Sequence, residues 1–200
     1  GICQLVQHTA LDAATKGFKD VLTETFGDKV TFDEATASGD IPTCATICNG
    51  FVSNSVDLIM ANATPALQAA AAATDKIPIL GTSVTEYGVA LSIDGFSGTV
   101  GGNISGTSDL APLDEQANMI ADLFPDAKVC GILYCSAEAN SQYQVTVVKA
   151  ALEARYNLDK PLGEQFILYV QNLLKGDFGI SLKTGRSVTD TILSSIQVSM

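Results

Sequence analysis

The 200-residue chain has no tryptophan, a single histidine, and 11 lysines and arginines against 22 aspartates and glutamates. The resulting net charge of −11 and isoelectric point near 4.3 disfavour nucleic acid as a partner, because phosphate binding depends on a cationic face that releases counterions. Charged residues are also few, at 16% against 46% hydrophobic, and no charge blocks occur, so a disordered or coiled-coil chain is excluded. No apolar stretch approaches the roughly 18–20 residues that span a bilayer. The chain opens on strand-like Gly1-Ile2-Cys3-Gln4-Leu5-Val6 instead of a basic and then apolar leader, so any export signal is expected to have been removed. A soluble globular protein of one ordinary domain or two small ones follows from the length.

The cysteines Cys3, Cys44, Cys48, Cys130 and Cys135 are odd in number and lack C-x-x-C spacing, which indicates neither a disulfide framework nor a zinc site. At i,i+4 on a helix, Cys44 and Cys48 place their Cβ atoms about 6 Å apart, beyond the roughly 3.8 Å of a disulfide. With Ile47, Phe51 and Val52 they form an apolar stripe and read as packed core thiols.

Strand and helix patterns alternate. Gly1–Val6 reads as a strand, followed by a helix carrying Leu11, Ala14, Phe18, Val21 and Leu22, with Thr9 as its cap. Val30–Phe32 suggests a second strand, and Asp40 with Pro42 opens the cysteine-bearing helix, which ends near Asn54. Val56–Met60 and Ile77–Leu80 read as strands flanking a helix that starts at Thr64-Pro65. Pro112–Phe124 and Ser141–Tyr156 read as helices around a strand at Val129–Tyr134, and a further helix is expected around Leu162–Leu174. Such alternation predicts an α/β fold with a parallel sheet and helices on both faces. Glycines at 95, 98, 101, 102 and 106 suit a crossing between two lobes, with a boundary near Gly106.

In parallel sheets, ligands sit beyond the carboxyl ends of the strands, next to helix N-termini that attract anions. Short polar residues gather at those places: Gln7 and His8, Asn62 and Thr64, Thr82, Ser83 and Thr85, then Ser136, Glu138, Asn140 and Ser141. Their hydroxyls and amides suit a carboxylate, and Asp109 or Glu138 suits an ammonium, so a small zwitterion is the expected ligand. Taken singly, Thr64, Asn140 and Ser141 are equally good helix caps.

Several segments together resemble the extracytoplasmic substrate-binding proteins of ABC importers, in the branch that takes tryptophan, tyrosine or related amino acids. They are 1–8 with Ala10-Leu11-Asp12, Asp57–Ala66, Gly81–Thr85, Gly106–Leu110 and Gly131–Ser141. The resemblance covers 1–156 and implies a type I periplasmic-binding fold with ligand in a cleft between two lobes: 1–106 as the first lobe and 107–156 as a partial, truncated second lobe. It also implies an ABC permease as partner and an extracytoplasmic location. No cofactor, metal or catalytic residue is expected.

Residues 157–200 resemble a different family. Leu158-Asp159-Lys160-Pro161-Leu162, Asn172–Ser181 and Thr184-Gly185-Arg186-Ser187-Val188 are similar to the extracytoplasmic segment of dipeptide/oligopeptide ABC permeases, with Ser187 where that family has proline. Charge divides at the same place: 18 acids and 7 bases through Tyr156, then 4 of each. A chimera joined near Glu153–Leu158 is the expectation, with self-association through the truncated lobe. Two other readings remain: an inactive or structural chimeric fragment, and a hydrolase pairing Cys135 with His8. The hydrolase reading lacks a G-x-S-x-G elbow and has one histidine to draw on.

Overall fold

A computed structural model describes residues 1–125, 127, 129–156, 159–176 and 188–189. Five strands, β1 (Ile2–Gln4), β2 (Glu34–Thr36), β3 (Ile59–Asn62), β4 (Ile79–Val84) and β5 (Ile104–Ser108), form one sheet in the order β2-β1-β3-β4-β5. Every neighbouring pair is parallel, as the alternating pattern requires. The helices are α1 (Thr9–Phe26), α2 (Ile41–Ser53), α3 (Thr64–Ala73), α4 (Tyr87–Leu91), α5 (Leu113–Leu123), α6 (Ala139–Arg155) and α7 (Leu162–Leu174).

The chain divides into two compact units, Gly1–Ala111 with Tyr134–Gln144, and Pro112–Leu133 with Val145–Met200. In the first, the pleat of β1 sorts its side chains between two faces. Cys3 and Leu5 join a core with Cys44, Cys48, Phe51, Ile59, Ala61, Leu67 and Ile79, while Gln4 turns to Thr15 of α1. Helices α2 and α3 pack on each other and on the sheet, and right-handed crossovers put α1 on the opposite face. Of the apolar residues expected on the inner face of α1, Val21 is instead 61% exposed.

Three sequence expectations shift. Val30–Phe32 is not a strand: a 3₁₀ turn occupies Gly27–Lys29, pairing begins at Glu34 opposite Ile2, and Phe32 offers its ring to the Lys19 ammonium at 5.7 Å. The glycine-rich stretch leads into β5, which the sequence reading missed because the strand is short, polar and carries Gly106. Gly106 is required there, since a Cβ would lie 2.1 Å from the Gly81 carbonyl oxygen and 2.2 Å from the Tyr87 hydroxyl. Val129–Tyr134 forms no strand, and Val129 and Leu133 are exposed. An apolar run becomes a strand only when a ladder satisfies its backbone, and this run has no pairing partner among the described residues.

In the second unit, Leu113, Ala117 and Ala121 of α5 are buried, and Arg155 pairs with Asp122 at 2.7 Å. Helix α7 falls where the sequence places it and exposes Leu162, Phe166, Ile167 and Leu174. No helix among the described residues is long and apolar enough to cross a membrane.

Candidate ligand-binding site

Strand order reverses between β1 and β3, the switch point outside whose carboxyl ends parallel sheets place their ligands. Beyond β1 lie Gln7 and His8, both exposed. His8 is the N-cap of α1, in place of the expected Thr9, and its Nδ1 accepts from the Ala10 amide at 3.3 Å. Asn62 ends β3 and Ala63 and Thr64 follow it; all three are buried.

Asn62 belongs to a polar network inside the unit. Its Nδ2 donates to the Leu11 carbonyl at 2.8 Å and the Thr15 hydroxyl at 2.9 Å, while Thr15 donates to Gln4 Oε1 at 2.7 Å and Gln4 Nε2 to Asp12 at 2.6 Å. This network ties the ends of β1 and β3 to the first turns of α1. Sequence reasoning missed Gln4 and Thr15. The available signal was a glutamine inside an apolar strand, with a threonine on the helix face that carries Leu11 and Phe18.

The backbone is strained along this edge. Ala63 has φ +97°, Ser38 after β2 has φ +55°, and Ser83 in β4 has φ +54°, where the register with β5 shifts between Gly81 and Val84. Each such conformation costs of order 1–3 kcal/mol outside glycine. By contrast, Ser92 is the left-handed C-cap of α4 and Ser55 follows the end of α2, ordinary places for positive φ.

Helix α3 begins at this edge without a capping side chain, since position 63 is alanine. The other helices following strands in this unit are served: α1 by His8, α2 by Asp40, and α4 by Glu86, which accepts from Gly88 at 2.9 Å and Val89 at 2.5 Å. Thr64, expected as a cap, is the first residue of α3, and its Oγ1 is buried without a partner among the described residues. Asn62 Oδ1 and Asn140 Oδ1 are likewise buried and, among the described residues, unpartnered. An unmet buried oxygen costs about 1–3 kcal/mol, so each of the three is a candidate contact for a group from outside the chain: a donor for the two amide oxygens, and a donor or an acceptor for the Thr64 hydroxyl.

Thr82 is half-buried and accepts weakly from the Thr107 hydroxyl at 3.5 Å. Thr85 is buried; its carbonyl accepts from Ser108 at 2.8 Å and its hydroxyl from Gln144 Nε2 at 3.2 Å. That last bond brings the first turns of α6 to the end of β4, placing Glu138, Asn140 and Ser141, all half-buried, in the same unit as Thr64 and Thr85. Asn140 and Ser141 lie inside the first turn, because α6 begins at Ala139. Ser136 is exposed, and its carbonyl accepts from Gln142 at 2.6 Å. Asp109 is exposed beyond β5 and, after burial itself, is the second influence that pushes the Tyr87 hydroxyl up to about 12. Near it a cavity of about 630 Å³ is lined by Glu86, Tyr87, Phe96, Ile104, Ser108 and Leu110.

For the hydrolase reading, His8 already spends Nδ1 on its helix, and Cys135 is exposed. No cluster of three or more histidine, cysteine or carboxylate groups suited to a metal occurs among the described residues.

The chain is 42% identical over 151 residues to a tyrosine-binding protein of Clostridioides difficile, covering 72% of this chain and 43% of that one. Its fold matches the crystal structure of an ABC domain in complex with L-Trp from Streptococcus pneumoniae, with a TM-score of 0.70 and 36% identity over 78% of this chain and 53% of the other. The chain thus spans about half the length of these relatives. A stretch of 54 residues is 50% identical to the oligopeptide transport system permease protein OppB of Haemophilus influenzae, covering 26% of this chain and 18% of the permease. Residues 1–161 match the family of ABC transporter substrate binding proteins, and the chain belongs to that family.

Proposed function

We propose that this chain is the solute-binding part of an ABC importer and takes the carboxylate of a free amino acid at the start of α3. The observation that carries the reading is the uncapped N-terminus of α3 beside the unpartnered Thr64 Oγ1. Free N–H groups at a helix N-terminus and a buried hydroxyl donor are what a carboxylate needs. Ser83 and Thr85 line the adjoining strand end, and Glu138 or Asp109 supplies the charge for the ammonium. An aromatic side chain is the favoured choice, because the tyrosine-binding and L-Trp-bound relatives are similar over most of this chain.

Work outside the cytoplasm with a membrane permease follows from the same reading. The short permease-like match supports a chimera in which residues 157–200 derive from a permease loop. Residues 177–187, which hold part of the permease-like segments seen in the sequence, are outside the described residues. Exposed Leu133, Phe166 and Leu174 favour self-association, which sedimentation at rising concentration tests.

Calorimetric titration with L-tyrosine and L-tryptophan, with glycine as the control, tests the ligand. Saturable binding of an aromatic amino acid without its chemical conversion is expected. Turnover would favour the hydrolase, and silence at millimolar ligand would favour an inactive fragment.

A further inference from the structure

Hydrogen bonds among β1, β3 and α1 decide which end of the Asn62 side-chain amide is left over. Its Nδ2 donates to the Leu11 carbonyl at 2.8 Å, and a backbone carbonyl can only accept. The same nitrogen donates to the Thr15 hydroxyl at 2.9 Å, whose own proton goes to Gln4 Oε1 at 2.7 Å. Gln4 is fixed in the same sense, since its Nε2 donates to the Val6 carbonyl at 2.9 Å and to the Asp12 carboxylate at 2.6 Å. Donation therefore runs one way, from Asn62 through Thr15 and Gln4 to Asp12. Turning either amide over would set an oxygen against a carbonyl. Asn62 Oδ1 is left as an acceptor with no other role open to it, and no donor among the described residues reaches it.

We propose that Asn62 Oδ1 accepts the α-ammonium group of the amino acid ligand, with Thr15, Gln4 and Asp12 as the positioning residues that hold it in that role. The inference rests on the carboxylate site proposed above. Thr64 and the free N–H groups of α3 begin two residues after Asn62 and are the donors for the carboxylate. In an α-amino acid the carboxylate and the ammonium share one carbon, so an acceptor for one belongs beside the donors for the other. The ammonium offers several N–H donors, which lets one go to Asn62 and another to the carboxylate of Glu138 or Asp109. An amide that donates into a chain ending on a carboxylate gathers negative charge on its oxygen, and burial strengthens the bond that oxygen makes. Asn62 has no exposed surface, so the ammonium reaches Oδ1 only as the chain around it opens, which lowers the apparent affinity.

Calorimetric titration of the full chain with L-tyrosine and with 3-(4-hydroxyphenyl)propanoate, which keeps the ring and the carboxylate and lacks the ammonium, tests the assignment. The unaltered chain should prefer L-tyrosine by at least about tenfold, the effect of one hydrogen bond to a charged group. Asn62→Ala should cut that preference at least about fivefold while changing affinity for the propanoate by less than about twofold. Thr15→Val should also lower the preference, and Thr15→Ser, which keeps the hydroxyl, should restore it, whereas a purely structural role would move both ligands together. In the unaltered chain the side-chain amide resonances of Asn62 should shift on saturation with L-tyrosine and stay in place with the propanoate. The same preference in the unaltered, Asn62→Ala and Thr15→Val chains would overturn the proposal and leave the amino acid reading standing. Failure of the unaltered chain to bind L-tyrosine would overturn both. The Thr15 variants and the Asn62 resonances decide the matter even if Asn62→Ala fails to fold.

Discussion

Asn62 at the end of β3 donates its side-chain amide to the hydroxyl of Thr15 on α1 at 2.9 Å, across a separation of 47 residues in sequence. The bond is buried and joins the strand ends at the switch point to the helix that covers them. Asn62→Ala should lower unfolding free energy by about 2–3 kcal/mol, since it also abandons the Leu11 carbonyl. In urea titrations Thr15→Val and Asn62→Ala should combine less than additively, by at least about 0.5 kcal/mol. Simple additivity would mean that the network does not act as a unit.

Gly81 and Gly106 face each other across β4 and β5, with the Tyr87 hydroxyl in the space that either Cβ would fill. Gly106→Ala should therefore destabilise by about 3 kcal/mol, because the nearest obstacle is a backbone carbonyl that has no room to yield. Gly17, inside α1 with nothing near its missing Cβ, gives the opposite expectation. Gly17→Ala should stabilise by about 0.5–1 kcal/mol in the same titration.

Burial, followed by the Asp109 carboxylate, raises the Tyr87 hydroxyl to about 12 from 10. A raised acid holds its proton more tightly folded than unfolded, so its contribution to stability is full below pH 10 and is lost as pH climbs from 10 to 12. Alkaline denaturation should steepen in that window, and Tyr87→Phe should flatten it. Absorbance near 295 nm should show one of the five tyrosines titrating late.

At the proposed carboxylate site, Thr64→Ala and Ser83→Ala should each weaken binding of L-tyrosine about three- to tenfold, one hydrogen bond apiece.

What the sequence made legible was periodicity. Helical spacing and start signals such as Asp40 with Pro42 and Thr64-Pro65 located α2, α3, α5, α6 and α7 within a few residues, and the taking of turns by strands and helices predicted the parallel sheet. Pairing remained hidden. β2 begins at Glu34 because Ile2 stands opposite, and nothing in Val30–Phe32 announces that register. β5 escaped notice because its apolar content is one isoleucine, its place in the sheet depending on the close approach of Gly106 to Gly81. Val129–Tyr134 looked like a strand for the converse reason: apolar content is visible in a sequence, and a missing ladder partner is not. At the site, the polar residues were visible as types, whereas the division between engaged and unpartnered oxygens, Thr85 against Thr64, rests on neighbours such as Gln144, 59 residues away.

The most direct test of the proposed function is an amide NMR titration of the isotope-labelled chain with L-tyrosine. Saturable shifts at Ala63, Thr64, Ser83, Thr85 and the amides of Ser136–Ser141 are expected, with little change along Leu162–Leu174. Saturable shifts confined to the cavity lined by Phe96, Ile104 and Leu110, or no shifts at millimolar tyrosine, would contradict an amino acid site at the start of α3.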